Sequence, residues 1–323
     1  MEAIIEVNEL FKAFGKGKNR VEAVRGISLQ IYEGEIFGFL GPNGAGKTTC
    51  LKMIVGLLKP DSGVVKILGV NPNINGKEIK RKLGIIPQMP TFYEDLTVRE
   101  NLEFIAKIYD IPILEARERI NHLITQIGLK KKRNALTKTL SGGQKRRLNL
   151  ILALVHDPQI ILCDEPTPGL DPQSRMIVWD FIKKLPAEGK TVILTTHYME
   201  EADRLSNRIA IIDHGEILVL NSPDQLKASV GKGDIVEISL KGDEPNLESI
   251  MDTLKDPISN LLIEDVFYLN RKLVIRARDL IPKLNRILSL IEKTGAIEIE
   301  NLSIRGTTLE DVFIHLTGRS LRE

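Results

Sequence analysis

The sequence predicts an α/β domain with an antiparallel β subdomain and a helical insert, followed by a small α+β domain. Three observations support this fold class. Glu35 to Leu40 is a short apolar run, typical of a buried strand, and it leads through a glycine-rich loop into apolar residues at helical spacing. Ile160 to Glu165 and Thr191 to His197 are further apolar runs that end in polar residues. After about residue 222 the predicted order becomes strand–helix–strand–strand–helix–strand, which is typical of a ferredoxin-like unit.

These patterns divide the chain into regions. We expect the α/β domain to cover residues 1–222, with its helical subdomain at about residues 96–157. A linker at residues 223–233 is indicated by its proline and glycine residues. The α+β domain would then cover residues 234–323.

The composition excludes several classes of protein. The 323 residues are 42% hydrophobic and 27% charged, which is typical of a globular chain. A formal net charge of +2 gives no indication of nucleic-acid binding. No uncharged apolar run reaches the length of about 18 residues that a membrane span needs, so a membrane role would require another polypeptide. The two cysteines, Cys50 and Cys163, fall in predicted buried elements and indicate core residues in a reducing compartment.

Short strand-forming runs precede the glycine-rich loop. They are Ile4 to Val7, Val21 to Val24 and Ile27 to Ile31, and their short connections predict antiparallel pairing. Phe14 lies between the first two runs. An exposed aromatic residue upstream of such a loop would stack on a nucleotide base, whereas the alternative is a core phenylalanine, and the local pattern leaves both interpretations open.

The glycine-rich loop itself fits the phosphate-binding pattern G-x-x-x-x-G-K-[ST] (the P-loop). Strand, loop and helix in this order bring backbone N–H groups and a helix N-terminus to one anion. Lys47 would reach the terminal phosphates and Thr48 would hold Mg²⁺. The predicted nucleotide-binding residues are Gly41, Pro42, Asn43, Gly44, Ala45, Gly46, Lys47, Thr48 and Thr49.

Carboxylates follow the apolar run that starts at Ile160. A carboxylate at the end of a buried strand is costly unless it is paired, hydrogen-bonded or used with a metal. Beside a phosphate-binding loop, Asp164 suits the Mg²⁺ site and Glu165 suits a general base for water. The alternative is a strand that simply continues into a polar loop. His197 ends the next strand and would either be a satisfied strand-end residue or contact a phosphate oxygen.

A second glycine-containing helix start occurs at Ser141-Gly142-Gly143-Gln144. Ser141 and Gln144 form a capping-box pattern, so an ordinary helix N-cap is one interpretation. The adjacent glycines favour another, because glycine is poor in a first helical turn unless the backbone approaches something closely. Such a helix start would be a second anion site. Asp171-Pro172 predicts a further N-cap with proline at the first helical position.

Taken together, these motifs resemble those of the ATP-binding subunits of ABC transporters, over Met1 to about Ser222. The phosphate-binding loop is GPNGAGKTT, the glutamine loop is IIPQ, and the signature is LSGGQ. The acidic strand is ILCDEP, the following loop is GLD, and the switch is TTH. The joint occurrence of these motifs is specific, whereas a phosphate-binding loop alone would not be.

The resemblance implies a head-to-tail dimer in which ATP on one phosphate-binding loop is capped by the partner's signature. It implies that the signature contacts are made by Ser141, Gly142, Gly143 and Gln144, and that Asp171 communicates across the dimer. It implies catalytic roles for Glu165 at the water, His197 at the γ-phosphate, Gln88 and Lys47, and an adenine-stacking role for Phe14. The implied Mg²⁺ ligands are Thr48, Gln88 and Asp164, the last through water.

Further segments resemble exporter-type subunits for drugs, sodium or lipid-linked cargo, namely PTPGLDP, TTHYMEEADRL, RIAIIDHGEI and LEDVFIHLTG. These subunits work with a separately encoded membrane protein, so the resemblance implies a peripheral protein at the cytoplasmic face of the cell membrane. The helical insert would dock the membrane subunit. Pro168 and Leu152 depart from the family, where a small polar residue and an arginine are usual.

Alternatives to the exporter remain at this stage. One is an importer ATPase whose C-terminal domain senses a ligand, and another is a soluble ABC ATPase of DNA repair or translation. The soluble types would need long heptad repeats, zinc-binding cysteines or tandem ATP domains, none of which the sequence contains. For the C-terminal domain we favour a dimerising role over a sensing role, because no polar ligand constellation stands out in it. The sequence does not name the cargo.

Overall fold

The computed structural model describes residues 2–74, 76–230, 234–241, 247–255, 263–269, 272–277, 280–294 and 298–318. The chain forms two compact units, residues 1–223 and residues 224–321. Within the described ranges, no helix is both long enough and apolar enough to cross a membrane.

The first unit mixes strands and helices along the chain. Its strands are β1 (Ala3–Phe14), β2 (Val21–Tyr32), β3 (Ile36–Leu40), β4 (Ser62–Ile67), β5 (Leu83–Ile86), β6 (Ile160–Asp164), β7 (Thr191–Thr196), β8 (Arg208–Asp213) and β9 (Glu216–Asn221). Its helices are α1 (Lys47–Ile54), α2 (Gly76–Arg81), α3 (Val98–Ile108), α4 (Ile113–Gln126), α5 (Gly142–Leu152), α6 (Pro172–Lys184) and α7 (Met199–Leu205).

A three-stranded antiparallel sheet has the order β2-β1-β4. The predicted antiparallel pairing is therefore confirmed. The prediction of separate strands at Val21 to Val24 and Ile27 to Ile31 was wrong, because β2 is continuous from Val21 to Tyr32. The ladder with β1 shifts register between Leu10 and Phe11, next to Gly26, whose φ is +71°. The glycine thus accommodates a bulge and does not end the strand.

A six-stranded sheet has the order β5-β6-β7-β3-β8-β9. Its first five strands are parallel, and β9 pairs antiparallel with β8. Successive residues of a strand point to opposite faces, so Ile193 packs in one hydrophobic cluster with α1, whereas Val192 and Leu194 pack in another with the insert helices. The carboxyl ends of β3, β6 and β7 meet at one edge, which is where open α/β sheets bind ligands.

The helical insert consists of α3, α4 and α5. Helix α3 begins at a capping box, in which Thr97 accepts from the Glu100 N–H and Glu100 accepts from the Thr97 N–H. The apolar faces of the three helices pack together with α6 and one face of the six-stranded sheet.

The second unit is an antiparallel sheet with helices. Its elements are α8 (Pro223–Ser229), β10 (Asp234–Lys241), α9 (Leu247–Lys255), β11 (Ile263–Leu269), β12 (Lys272–Ala277), α10 (Leu280–Thr294), β13 (Glu298–Arg305) and α11 (Leu309–Thr317). The sheet order β11-β12-β10-β13 is that of a ferredoxin-like unit, so this predicted fold is confirmed.

The segment expected to be a linker, residues 223–233, differs from that expectation because it begins with helix α8. Its glycine-containing part, residues 231–233, lies outside the described residues. Arg276 of β12 donates from Nη1 to the carbonyl oxygen of Val230 at 2.7 Å, which fixes the end of this helical segment to the sheet. Proline at the first helical position also explains why a helix starts at a residue that the sequence pattern assigned to a linker.

Candidate ATP-binding and hydrolysis site

The phosphate-binding loop connects β3 to α1 at the carboxyl edge of the six-stranded sheet. A Cβ on Gly46, whose φ is +102°, would collide with the carbonyl oxygen of Ala23 in β2. A Cβ on Gly41 would collide with the carbonyl oxygen of Ile212 in β8. Only glycine fits at either position. The loop therefore packs closely against both sheets even without a ligand.

Lys47 is the first residue of α1 and its side chain is 5% exposed. Its ammonium group donates to the carbonyl oxygens of Gly41 at 2.8 Å and Pro42 at 2.9 Å, and lies 3.9 Å from Glu165 Oε1. Burial lowers the pKa of Lys47, and the negative charges of Glu165 and Asp164 oppose this shift. The arrangement holds a cationic group inside the curve of the loop.

The next residue, Thr48, faces the acidic end of β6. Its hydroxyl donates to Asp164 Oδ1 at 2.9 Å, and the Thr195 hydroxyl donates to the same oxygen at 2.6 Å. The donor set is therefore a hydroxyl and a carboxylate, both of which are oxygen ligands of the kind that Mg²⁺ prefers. Among the described residues, no group of three or more histidine, cysteine, aspartate or glutamate side chains is placed to hold a metal ion.

Glu165 follows β6 and its backbone has φ of +48°, in the left-handed region that non-glycine residues rarely adopt. Its N–H donates to Thr195, and its carboxylate is flanked by two side chains. His197 Nδ1 lies 3.1 Å from Oε1, and the Gln88 amide donates to Oε2 at 3.4 Å. With its side chain 11% exposed, this carboxylate is held in a narrow, polar position beside the loop.

Gln88 was expected to be a metal ligand together with Thr48 and Asp164. The structure brings Thr48 and Asp164 into direct contact, whereas the Gln88 amide nitrogen bonds to Glu165. That bond does not use the side-chain amide oxygen of Gln88, so this oxygen is available to coordinate a cation. The predicted catalytic residues Lys47, Gln88, Glu165 and His197 thus form one connected cluster.

Phe14 ends β1, and its side chain is 44% exposed. The Lys12 ammonium lies 5.8 Å from the ring centroid. Phe14 pairs with Val21 in the ladder of β1 and β2, two residues before the Ala23 that packs against Gly46. The exposed ring therefore stands on the strand pair that borders the phosphate-binding loop, and the core interpretation does not hold.

At the signature, helix α5 begins with the capping box that the sequence predicted. Ser141 accepts from the Gln144 N–H at 3.3 Å, and Gln144 accepts from the Ser141 N–H at 3.1 Å. The two glycines differ in their surroundings. A Cβ on Gly143 would collide with Ser174 of α6. A Cβ on Gly142 would have no heavy atom of the described residues within 4 Å, apart from its chain neighbours and the backbone of its own helix.

Asp171 caps α6 as predicted, accepting from the Ser174 N–H at 2.9 Å, with Pro172 at the first helical position. The hydrogen bond from Ser174 lowers the pKa of Asp171. Because Ser174 also packs against Gly143, the loop before α6 and the signature are neighbours within one chain.

The two departures from the family pattern have structural explanations. Pro168 and Gly169 occupy the central positions of a turn closed by the hydrogen bond from Leu170 N to Thr167 O at 3.2 Å. Gly169 has φ of +74°, so this is the arrangement in which proline is favoured at the second position and glycine at the third. Leu152 is 5% exposed and packs in the core of the insert, where a charged side chain would need a partner.

Residues that the sequence did not single out also support the site. Arg146, two residues after the signature, donates to the backbone carbonyl oxygens of Pro87, Gln88 and Glu165. Glu201 of α7 is fully buried and accepts from Thr167 at 2.7 Å and Trp179 at 2.9 Å. Burial raises the pKa of Glu201. Both residues lie in helices with many charged residues, and the local sequence contains no signal for these contacts.

The site can be compared with known proteins. The family described as ABC transporter matches residues 24–168. The chain is 36% identical over 321 residues to a Nod factor export ATP-binding protein of Ralstonia nicotianae, with 99% of this chain and 95% of that protein covered. It is 36% identical to the linearmycin resistance ATP-binding protein of Bacillus subtilis (99% and 100% covered). Its identity to a daunorubicin resistance ATP-binding protein of Streptomyces coeruleorubidus is 33% (99% and 98% covered).

Solved structures agree with this result. The dimeric ATP-binding cassette MJ0796 bound to ADP and phosphate superimposes with a TM-score of 0.62 at 31% identity, covering 68% of this chain and 98% of that one. CbiO1 of Clostridium perfringens, part of an ABC transporter complex, gives a TM-score of 0.65 at 26% identity, covering 80% and 97%. The phosphate-binding loop, the acidic strand end and the relatives over the whole length lead to one conclusion. The chain belongs to the ATP-binding subunits of exporter-type ABC transporters and is an ATPase that acts in transport across a membrane.

Proposed function

We propose that this chain hydrolyses Mg²⁺-bound ATP at a site shared between two copies, and that closure of this homodimer drives a separate membrane subunit. The observation that carries the proposal is the cluster at the carboxyl edge of the six-stranded sheet. There Lys47 lies 3.9 Å from Glu165, and Thr48 is bonded to the neighbouring Asp164. A buried cation, an oxygen donor set and a positioned carboxylate are the groups that phosphoryl transfer requires.

In this proposal Lys47 and the loop N–H groups bind the β- and γ-phosphates, and Phe14 stacks on the adenine. Thr48, Asp164 (through water) and Gln88 would hold Mg²⁺, which when bound neutralises charge on the phosphate oxygens. Glu165 orients a water molecule and takes its proton while the water oxygen attacks the γ-phosphorus. The bond from the γ-phosphorus to the bridging oxygen breaks, and ADP leaves with that oxygen. His197 holds Glu165 from one side and contacts the γ-phosphate.

The dimer is supported by the exposed start of α5. Ser141 and Gly142 are exposed, and Gly142 has room around it. In the proposed head-to-tail dimer, Ser141, Gly142, Gly143 and Gln144 of one copy cap the ATP bound by the other, and Asp171 lies at the same interface. A shared site of this kind exists in two symmetry-related copies.

This proposal is tested with Glu165→Gln, which keeps the shape of the side chain and removes the base. We expect ATP affinity to change little and kcat to fall by at least about 100-fold, because general bases contribute on this scale. The variant should accumulate as a dimer in the presence of ATP, measured by light scattering after gel filtration. Steady-state turnover close to that of the unchanged chain would refute the role given to Glu165.

We further propose that the membrane subunit docks at a groove between the α/β core and the helical insert. The groove encloses about 370 Å³ and is lined mainly by apolar side chains, among them Leu57, Ile85, Ile105 and Tyr109. Leu57 is 58% exposed and Ile85 is 39% exposed, which is unusual for apolar residues in one concave surface. A cytoplasmic segment of a transmembrane partner is the occupant that fits a transporter ATPase, and it would hold this chain at the cytoplasmic face of the membrane.

The docking surface is tested by purification from detergent-solubilised membranes. We expect a multi-span protein to copurify with the unchanged chain and to be lost with Leu57→Asp, while the ATPase activity of the purified chain persists. Ile74→Asp is the matched control, because Ile74 is 78% exposed and does not line the groove. Equal recovery of the partner with Leu57→Asp would reject this surface. The identity of the copurified protein would also narrow the range of possible cargoes. The relatives' names point to different cargoes, namely Nod factor, linearmycin and daunorubicin.

For the second unit we propose a dimerising role. Its support comes from the sequence of this unit, in which no polar ligand constellation stands out; the sheet and helices α9 and α10 share a hydrophobic core of their own. Sedimentation of the full chain without nucleotide, compared with a chain ending at Ser229, tests the role. A dimer that persists in the shortened chain would contradict it.

A further inference from the structure

Arg146 makes an unusual set of contacts for a residue outside the recognised motifs. It lies in α5, two residues after the signature. An arginine side chain has five N–H donors in a rigid, planar arrangement. Nε donates to the carbonyl oxygen of Pro166 at 2.6 Å, and Nη1 donates to those of Pro87 at 2.8 Å and Gln88 at 3.1 Å. Nη2 donates to those of Glu165 at 2.6 Å and Asp164 at 3.3 Å.

The acceptors belong to two segments that leave the sheet side by side. Strands β5 and β6 are parallel neighbours, and their last paired residues are Ile86 and Cys163. Directly after that pair the ladder loses a donor, because Pro87 has no N–H group, and Pro166 lacks one further along the other segment. Backbone carbonyls that are partly buried need a donor, and the guanidinium supplies it to both segments at once.

The contact with Glu165 has a particular consequence. The backbone of this residue is in the left-handed region, with φ of +48°, so it needs external support to keep its conformation. On one side its N–H donates to the Thr195 carbonyl at 3.1 Å, and on the other its carbonyl accepts from Arg146 at 2.6 Å. The direction of the Glu165 carboxylate is therefore fixed by β7 and by the helix that carries the signature.

The other segment ends in the side chain that faces the same carboxylate. The backbone carbonyl oxygen of Gln88 accepts from Arg146, while the side-chain amide of Gln88 donates from Nε2 to Glu165 Oε2 at 3.4 Å. Arg146 thus sets the backbones of both partners of this hydrogen bond. It does so as a full cation, because the guanidinium stays protonated even though partial burial lowers the pKa of Arg146.

We propose that Arg146 is a positioning residue for ATP hydrolysis, which fixes Glu165 and Gln88 relative to each other and to the signature helix. The proposal rests on the role in hydrolysis proposed above for Glu165. Arg146 touches neither reacting atoms nor nucleotide in this role. Its loss lets the Glu165 backbone relax out of the left-handed region, so the carboxylate no longer points at the attacking water, while the phosphate-binding loop stays intact.

The test compares Arg146→Ala, Arg146→Lys and the unchanged chain, using steady-state ATPase rates and equilibrium binding of a fluorescent ATP analogue. For Arg146→Ala we expect kcat to fall by at least about 20-fold with the nucleotide Kd within about threefold, because misplaced catalytic groups lose rate and not binding. Arg146→Lys should recover only part of the rate, since three donors on one nitrogen cannot reach both segments. This variant also keeps the test valid if Arg146→Ala folds poorly.

Arg119→Ala is the matched control. Arg119 of α4 also donates to a backbone carbonyl, that of Val155 at 3.0 Å, and pairs with Glu115, but it does not contact residues 87–88 or 164–166. We expect kcat within about twofold of the unchanged chain for this control, because lost surface contacts of this kind have small effects. A similar fall in both arginine variants would assign the effect to general loosening of the fold and overturn the proposal.

A double-mutant cycle then separates positioning from other causes. If Arg146 acts through Glu165, Arg146→Ala should have little further effect on kcat in the Glu165→Gln background, because effects within one unit are not additive. Unchanged kcat in Arg146→Ala, or a multiplicative loss in the double variant, would overturn the positioning role alone. Retained turnover in Glu165→Gln by itself would instead overturn the proposed base, and with it the route through which Arg146 acts.

Discussion

Helices α1 and α5 both begin at glycines, but they treat their first N–H groups differently. At α1 the N-cap is Gly46 in the left-handed conformation, and no side chain of the described residues caps the helix. At α5 the N-cap is Ser141, which forms a reciprocal capping box with Gln144. The first helix start leaves its donors to a ligand, whereas the second satisfies some of its own donors.

The difference indicates that the two predicted anion sites are not equivalent. The loop before α1 is fixed by steric contacts with β2 and β8, and it contains the buried Lys47 ammonium. The start of α5 is exposed at Gly142 and has no buried cation among its own four signature residues. We infer that the loop supplies most of the phosphate affinity, and that the signature adds the contacts that depend on dimer closure.

The largest expected effect comes from removing the buried ammonium group of Lys47, which only the loop has. Lys47→Ala should weaken ATP binding by about 100-fold, because a buried charge-assisted contact with phosphate is lost. Isothermal titration with ATP measures the change. Lys52→Ala is the control, since Lys52 is an exposed residue of the same helix. Unchanged affinity in Lys47→Ala would contradict the assignment of the loop.

An effect of intermediate size tests the glycines of the signature. Gly143→Ala should lower the free energy of unfolding by about 1–3 kcal/mol, because its Cβ would collide with Ser174 and overpacking costs this much. Gly142→Ala should be close to neutral by the same measure, chemical denaturation, since the space around Gly142 is open. Adding Ser174→Gly should restore the stability of Gly143→Ala. Equal destabilisation by both alanines would show that the two glycines do not differ as described.

A further effect, of similar size, concerns the contact of Phe14 with adenine. Phe14→Ala should weaken ATP by about 1–3 kcal/mol, which is the usual contribution of stacking between a base and an aromatic ring, and should leave inorganic triphosphate binding nearly unchanged. Phe14→Tyr serves as the control because it keeps the ring. Equal losses for ATP and triphosphate would mean that Phe14 acts on the loop and does not stack on adenine.

Much of the fold followed from local patterns. Apolar runs, capping boxes and turn residues are properties of a few neighbouring residues. They predicted the strand before the phosphate-binding loop, the helix starts at Ser141 and Asp171, and the ferredoxin-like order of the second unit. The errors arose where a local break signal was overridden by pairing. Separate strands were expected at Val21 to Val24 and Ile27 to Ile31, but β2 continues between them through a bulge beside Gly26.

The residues of the site also fall into two groups, those that the sequence predicted and those that it did not. Lys47, Thr48 and Asp164 were predicted from the sequence, because they belong to sequence motifs with a characteristic spacing. Arg146 was not, because its acceptors are backbone carbonyls about 20 and 60 residues away, and a carbonyl carries no sequence identity. Gly143 was recognised as a site of close approach, but the sequence could not say that Ser174 is the neighbour.

By itself, the sequence determined the kind of protein, since the order and spacing of its motifs fit an ABC transporter ATPase. It also determined which groups would meet a phosphate, because the loop, the lysine and the helix start are contiguous. The tertiary structure alone decided how those groups are held. Glu165 has a left-handed backbone. Its contact with His197 and its bond from Arg146 join residues that are distant in the chain. Such contacts exist only once the sheet has brought the ends of β5, β6 and β7 to one edge.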